Sequence, residues 1–234
     1  MSKRILSLWL MGWFCFILSA CQTASSPEIN NKVEKAPVAV DPEMTAEQRK
    51  VAAEQFKREE ELNEKAIITA KVGDADKAIE LFQQLIQQNP KYPFAFTNLA
   101  LQLLKTGNII GARALFVKAI EHDNEDAFAY NHLALLQRRE GLFEQAKQNY
   151  MNAIKADESY ANAHLNLGIL LDIYLQDLPE ALNQYQAYQK LITKDEEITK
   201  NQDNKKNEEA NELVEKWIVD IRRRIDSAEG ARND

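Results

Sequence analysis

The sequence is poor in the residues that reactive centres draw on. Its 234 residues include two cysteines, three histidines and seven glycines. Both cysteines, Cys15 and Cys21, lie at the very start of the chain. Nothing after Cys21 can therefore form a disulfide framework or a thiolate-ligated metal site. His122, His132 and His164 never fall four apart, the spacing that puts two zinc ligands on one helical face. The glycines form no phosphate-cradling loop, and there is no G-x-S-x-G string. Carboxylates run in blocks such as Glu59-Glu60-Glu61, which a solvated helix face explains without a general acid–base pair. These absences predict a protein that is not an enzyme and carries no metal and no cofactor.

Positive charge is also in deficit. Lys and Arg number 29 against 36 Asp and Glu, a net charge of −7. An acidic surface opposes a phosphate backbone, so nucleic acid is excluded as an expected partner. Long apolar runs are missing as well. The most apolar stretch, Ile5 to Ala20, is shorter than the roughly 20 residues a membrane-spanning helix needs. It follows Lys3 and Arg4 and ends in Leu18-Ser19-Ala20-Cys21. A basic start, an apolar middle and small residues before a cut describe a secretory leader, here residues 1–20.

The string Leu18-Ser19-Ala20-Cys21 resembles the lipobox of bacterial lipoproteins. That resemblance implies diacylglyceryl on the Cys21 thiol, cleavage before it, and acylation of the new amino terminus with a chain such as palmitate. Gln22 stands where an Asp would signal inner-membrane retention in enterobacteria. The implied location is the inner leaflet of the outer membrane, facing the periplasm. Residues 21–44 read as the lipidated cysteine and a flexible tether, because Ser25, Ser26, Pro27, Asn30, Asn31, Pro37 and Pro42 break any periodic pattern. Thr45-Ala46-Glu47-Gln48 fits a capping box, which predicts a helix from there to about Val72.

Beyond Thr45 the chain repeats itself. Gly73, Gly107 and Gly141 are 34 residues apart, and so are Ala78, Ala112 and Ala146. The same step joins Phe82, Phe116 and Tyr150, then Ile86, Ile120 and Ile154, then Leu99, Leu133 and Leu167. Ala66, Ala100, Ala134 and Gly168 make another row. A 34-residue period with small and aromatic residues in these places resembles the tetratricopeptide repeat family. The resemblance implies an all-α, right-handed α-solenoid of about four helical hairpins over 45–195, with repeats at 59–92, 93–126, 127–160 and 161–195. In such hairpins the small residue lets two helices approach, the glycine turns the chain, and the aromatic fills the space between helices. Burying that ring contributes about 2 kcal/mol. Pro93 suits a first helical turn, and Asn124 and Ser159 lie near cap positions. Repeat four has one extra residue in Tyr174–Pro179, so Ala181 and Tyr185 take the Ala and aromatic roles.

Residues 196–211 are almost all polar and read as a linker. Leu213, Trp217, Ile221 and Ile225 then recur every four residues, with Val214 and Ile218 beside them. This predicts an amphipathic helix over 212–226 that caps the array, followed by a disordered tail at 227–234. Arg222, Arg223 and Arg224 beside Trp217 would also suit a docking or membrane-surface helix, though Glu208, Glu209, Glu212 and Glu215 oppose the latter.

In the family, first helices line a groove through the second, fifth, ninth and twelfth positions of each repeat. Repeat one then contributes Glu60, Asn63, Ile67 and Ala70. The candidate partner-binding residues that follow are Phe94, Thr97, Leu101 and Leu104 in repeat two, Phe128, Asn131, Leu135 and Arg138 in repeat three, and Asn162, Leu165 and Ile169 in repeat four, with Asp172 completing the row. The fifth positions lack the Lys of the carboxylate clamp that some members carry. Phe94, Leu101, Leu104, Phe128 and Leu135 instead read as an apolar stripe for a partner's helix or extended segment, the alternative being that they pack between repeats. The expected function is a lipid-anchored adaptor or scaffold for other envelope proteins. Tetratricopeptide lipoproteins of this size resemble pilotins, adaptors of cell-wall hydrolases and accessory proteins of TonB-type or gliding machinery. A peptidoglycan-binding or enzyme-regulating periplasmic subunit is the alternative.

Overall fold

A computed structural model describes residues 44–92, 94–198 and 204–233. Cys21, the leader, most of the tether and Pro93 lie outside the described residues, so the expectations placed on them are not addressed by it. Among the described residues the structure is helical with no strand. The first hairpin joins α1 (Ala46–Lys71) to α2 (Ala75–Gln88). The next two join α3 (Ala95–Lys105) to α4 (Ile109–His122) and α5 (Ala127–Arg139) to α6 (Phe143–Ala156). The fourth joins α7 (Ala161–Ile169) to α8 (Leu178–Ile198), and α9 (Asn204–Asn233) follows.

Local chemistry sets the helix ends. Thr45 and Gln48 form the reciprocal capping box, with Thr45 N donating to Gln48 Oε1 at 2.8 Å. Gly73, Gly107 and Gly141 close the first helices with φ of 94°, 83° and 78°, a region that costs a Cβ-bearing residue free energy. Asp74 and Asn108 then cap α2 and α4 through their side chains. The caps of α5 and α7 fall on Asp126 and Tyr160 rather than on Asn124 and Ser159, whose neighbourhood instead forms tight turns at Asp123 and Asp157.

The extra residue of repeat four is absorbed earlier than the turn. Leu170–Leu175 is a π-helical segment, the usual form of a single insertion in a helix. The closing hydrogen bond records it. Asn108 N and Leu142 N reach back five residues, to Leu103 O and Gln137 O, whereas Asp177 N reaches back six, to Leu171 O. Gln176 then occupies the left-handed position with φ 58° where the other repeats have glycine.

Packing follows the repeat register. Ala66, Ala100 and Ala134 are fully buried, as are Ala78, Ala112, Ala146 and Ala181. Phe82, Phe116 and Tyr150 fill the hairpins, and Tyr185 does so in repeat four. Gly168 has no freedom to be anything larger, since a Cβ there would sit 2.7 Å from the Tyr185 ring. Each second helix packs on the first helix of the next repeat, and α9 packs on α8. Val214, Ile218 and Ile221 of α9 join the core of repeat four, and Trp217 lies against Tyr185 with ring centroids 5.4 Å apart. Its apolar stripe is thus spent on capping the array. The helix is longer than the 212–226 expected, reaching into the 196–211 stretch read as linker and through most of the 227–234 stretch read as tail.

Candidate functional site

The second, fifth, ninth and twelfth positions of each repeat share one side of the first helix. The structure uses many of them for internal cohesion. Leu101 and Ile169 are core residues, and Thr97 and Asn131 are buried polar residues. The fifth positions are ties. In each of the first three repeats, this residue bonds to one 29 positions later, at the end of the same repeat. The Thr97 hydroxyl donates to Asp126. Asn131 Nδ2 donates to the Tyr160 hydroxyl at 3.2 Å, and the Asn63 amide bonds to the Tyr92 hydroxyl. Asn166 Nδ2 extends this network to Asn131 Oδ1 at 3.0 Å. The ties fix where the next first helix begins. Leu165 stands at the fifth position of repeat four and cannot continue the series; its side chain packs against the terminal core.

Burial shapes the electrostatics of these ties. Desolvation pushes the Tyr92 hydroxyl up to about 12, with Glu60 and Glu59 adding to the effect. Burial likewise raises the Asp126 carboxyl, against the hydrogen bonds from Thr97 and from Ala129 N. His132 is pushed down by burial, and its Nδ1 lies 2.8 Å from Phe128 O while the ring stacks on Phe116. His122 stacks on Phe96 at 4.8 Å, and His164 lies between Gln184 Oε1 and Glu158 O. Each histidine thus has a packing or hydrogen-bonding role.

The remaining positions stay partly open. Phe94 is half-buried at the head of α3, in the left-handed conformation. Leu104 is half-buried at the other end of that helix. Phe128 stacks on Tyr160 at 4.6 Å and keeps part of its ring exposed. Leu135 and Leu165 pack against the terminal core without being covered, and Asn162 is half-buried. Arg138 is half-buried too, and its Nη1 is enclosed without a hydrogen-bond partner. Asp172, the twelfth position of repeat four, pairs with Arg224 of α9 at 2.7 Å. The capping helix therefore reaches the end of this face. The apolar stripe expected from the sequence loses Leu101 to the core, and the wider groove set loses Ile169 to the core and Thr97 and Asn131 to the ties. What remains is an interrupted row of half-exposed apolar groups around Arg138.

The comparisons agree with this geometry. Residues 70–136 match the family model described as tetratricopeptide repeat. A search of curated proteins found no match. Among solved structures, PilF of Pseudomonas aeruginosa superposes with a TM-score of 0.58 at 16% identity, over 76% of this chain and 74% of that one. MamA superposes with a TM-score of 0.52 at 19% identity, over 64% of this chain and 86% of that one. At such identities the likeness is one of fold. Together with the repeat register, it shows the fold of the described domain: a helical solenoid of four hairpins like that of tetratricopeptide-repeat structures, closed at its C-terminal end by α9.

Proposed function

We propose that this chain is a non-enzymatic, lipid-anchored adaptor, held at the inner face of the outer membrane through Cys21, that docks segments of other envelope proteins on the first-helix face. The observation that carries the docking surface is the combination around Arg138. An enclosed guanidinium nitrogen without a partner is a costly arrangement in a folded protein. A bound segment offering a carboxylate or backbone carbonyl would satisfy it. Leu135, three residues earlier on α5, and Leu104, at the equivalent position of the preceding repeat, are half-exposed apolar anchors for the same segment. The lipobox-like Leu18-Ser19-Ala20-Cys21 and the polar, proline-broken stretch after it support the anchor. The repeat domain itself supports an interaction module rather than an enzyme, since stacked hairpins supply surface and few reactive groups.

The test is site-specific photocrosslinking in cells, with the reactive side chain at Leu104, Leu135 or, on a second helix, Met151. The proposal expects one or a few envelope proteins captured from both Leu104 and Leu135, absent from Met151, and held in the membrane fraction by lipidated Cys21. Equal capture from all three positions would remove the docking face. Capture with the protein found unlipidated would remove the anchor alone.

A further inference from the structure

Among the described residues the solenoid is covered at one end and open at the other. The last hairpin carries α9, whereas α1 packs on α2 and turns its other side outward. The repeat register shows what that side lacks. Leu99, Leu133 and Leu167 join the cores of the hairpins before them, and Lys65 stands at their position. Ile68 stands where Gln102, Leu136 and Leu170 are buried, yet it is 55% exposed. An array end left bare in this way is a stacking face without its neighbour. Val51, Glu54, Arg58, Glu61, Lys65 and Ile68 follow one another along α1 in steps of three and four, so they share this side, and each is exposed. Asn63, Ala66 and Ala70 are buried on the opposite side.

Steps of three and four make the seam of a helix pair, and this seam is complementary to its own reverse. Two copies of α1 placed antiparallel, with the twofold axis between Glu59 and Glu60, set Val51 of one against Ile68 of the other. The same register sets Glu54 against Lys65 and Arg58 against Glu61, and on the flank Lys57 against Glu64. The seam from Val51 to Ile68 is about 26 Å long. Other registers fail. One heptad either way, the antiparallel pair sets Val51 against Glu61 or Ile68 against Arg58. Parallel helices in register set Arg58 on Arg58 and Glu61 on Glu61, and one heptad out they set Glu54 on Glu61 and Arg58 on Lys65. In the favoured register Lys50 approaches Lys71 at each end, where Glu47, Asp74 and Asp76 add negative charge. On α2, Lys77 and Glu80 pair with each other. Within one copy Glu61 contacts Lys57 at 3.9 Å, an exposed pair whose exchange costs little. The stems of Arg58 and Lys65 can pack along the seam with their charged heads at its rim. Asn63 and Ile67, the groove positions of repeat one, lie on the far side of α1, so the docking face stays clear.

We infer that the outer face of α1 is a dimer interface, which pairs antiparallel with the same face of a second copy of this chain. The test is oxidative crosslinking between two full-length chains that carry different C-terminal tags and are co-expressed, then oxidised in unfractionated lysate. One chain carries Val51→Cys and the other Ile68→Cys. The unsubstituted pair sets the background from Cys15 and Cys21. The expected result is a disulfide-linked dimer bearing both tags, well above that background and above the product of two Val51→Cys chains. Adding Lys65→Glu to both chains sets Glu54 against a carboxylate in two places and should lower the mixed product by about tenfold or more. Adding Glu54→Lys to both of those chains should restore it, because the pair is then reversed rather than lost. Each substituted residue is exposed on a single helix, and a circular dichroism melt of each variant checks the fold. A mixed product no greater than background overturns the interface. A Val51–Val51 product exceeding the mixed one overturns it in favour of a parallel pair. A mixed product that Lys65→Glu leaves unchanged, or that Glu54→Lys fails to restore in folded chains, overturns the register. Capture of a different protein by both cysteines, without the mixed dimer, gives the face to another partner and overturns the proposal.

Discussion

Gly168→Ala opposes two effects whose magnitudes can be compared. In a helix interior, alanine is favoured over glycine by about 1 kcal/mol. At position 168 the new methyl would lie 2.7 Å from Cδ1 and Cε1 of Tyr185, about 1 Å inside ordinary contact. The ring has nowhere cheap to go. Tyr185 is 1% exposed and is backed by Trp217 of α9. Overpacking of this kind costs about 1–3 kcal/mol, so the net change should be a destabilisation of roughly 0–2 kcal/mol. The discriminating form is a double-mutant cycle with Tyr185→Leu. Once the ring is gone, Gly168→Ala should stabilise by about 1 kcal/mol, giving a coupling of about 1–3 kcal/mol. Urea unfolding followed by helical circular dichroism measures each corner. Trp217 is the only tryptophan after Trp13, and its emission reports whether α9 loosens with the ring. A Gly168→Ala protein more stable than the parent, with Tyr185 intact, would refute the close contact that explains this glycine.

Three further predictions concern buried polar groups. Gln102 is fully buried with neither amide atom partnered, while Leu136 and Leu170 hold the same register; Gln102→Leu should therefore stabilise by about 1–3 kcal/mol, and a lower urea midpoint would contradict it. Asp126→Asn keeps an oxygen to accept from Ala129 N and turns the other contact round, its amide NH2 donating to the Thr97 hydroxyl oxygen, without a buried charge. The folded Asp126 carboxyl is raised above its ordinary 3.8, so its stabilising contribution is present below that pH and is lost as pH rises through the folded value; the Asn variant should gain on the parent over that rise, whereas Asp126→Ala should cost about 2 kcal/mol by orphaning Thr97 and uncapping α5. His132 is held below its ordinary 6.5, so its contribution is full above that pH and declines as pH falls toward the folded value; in thermal melts from pH 7 to pH 5, His132→Phe, still able to stack on Phe116, should flatten the loss, and parallel profiles would contradict the assignment.

How much of this was legible in the sequence depended on whether the signal repeated. The 34-residue step of small residues marks Ala66, Ala100 and Ala134 as the points where helices approach, and all three are fully buried, because close helix packing leaves few alternatives there. The fifth-position ties were also repetitive but changed residue type. Asn63, Thr97 and Asn131 pair with Tyr92, Asp126 and Tyr160, and the signal was the constant offset of 29 between two hydrogen-bonding side chains. The same positions fit a groove lining equally well in the sequence, which does not choose between the two roles. The insertion in repeat four was visible as a one-residue shift, but its place was not. Without a glycine to fix the turn, the helix widened at Leu170–Leu175 and left Gln176 in the left-handed position. The early part of α9 carries no apolar period in its sequence, so nothing there distinguishes a helix from a linker. Leu101 and Ile169 were indistinguishable in sequence from Leu104 and Leu135. Which leucine or isoleucine a neighbouring repeat covers is decided by stacking, and one repeat's sequence does not contain it.

The adaptor reading is tested most directly by affinity. With the segment crosslinked at Leu104 and Leu135 in hand, its dissociation constant is measured against the parent, Arg138→Ala and Leu104→Ala by titration calorimetry, each variant checked by its melting temperature. Removing an anchor that matters typically costs about 2 kcal/mol, or roughly thirtyfold in dissociation constant. Arg138→Ala should weaken binding by that order and Leu104→Ala comparably, with melting temperatures near the parent's. Unchanged affinity in two stably folded variants would contradict it, and with it the assignment of the first-helix face around Arg138 as the place where this solenoid holds its partner.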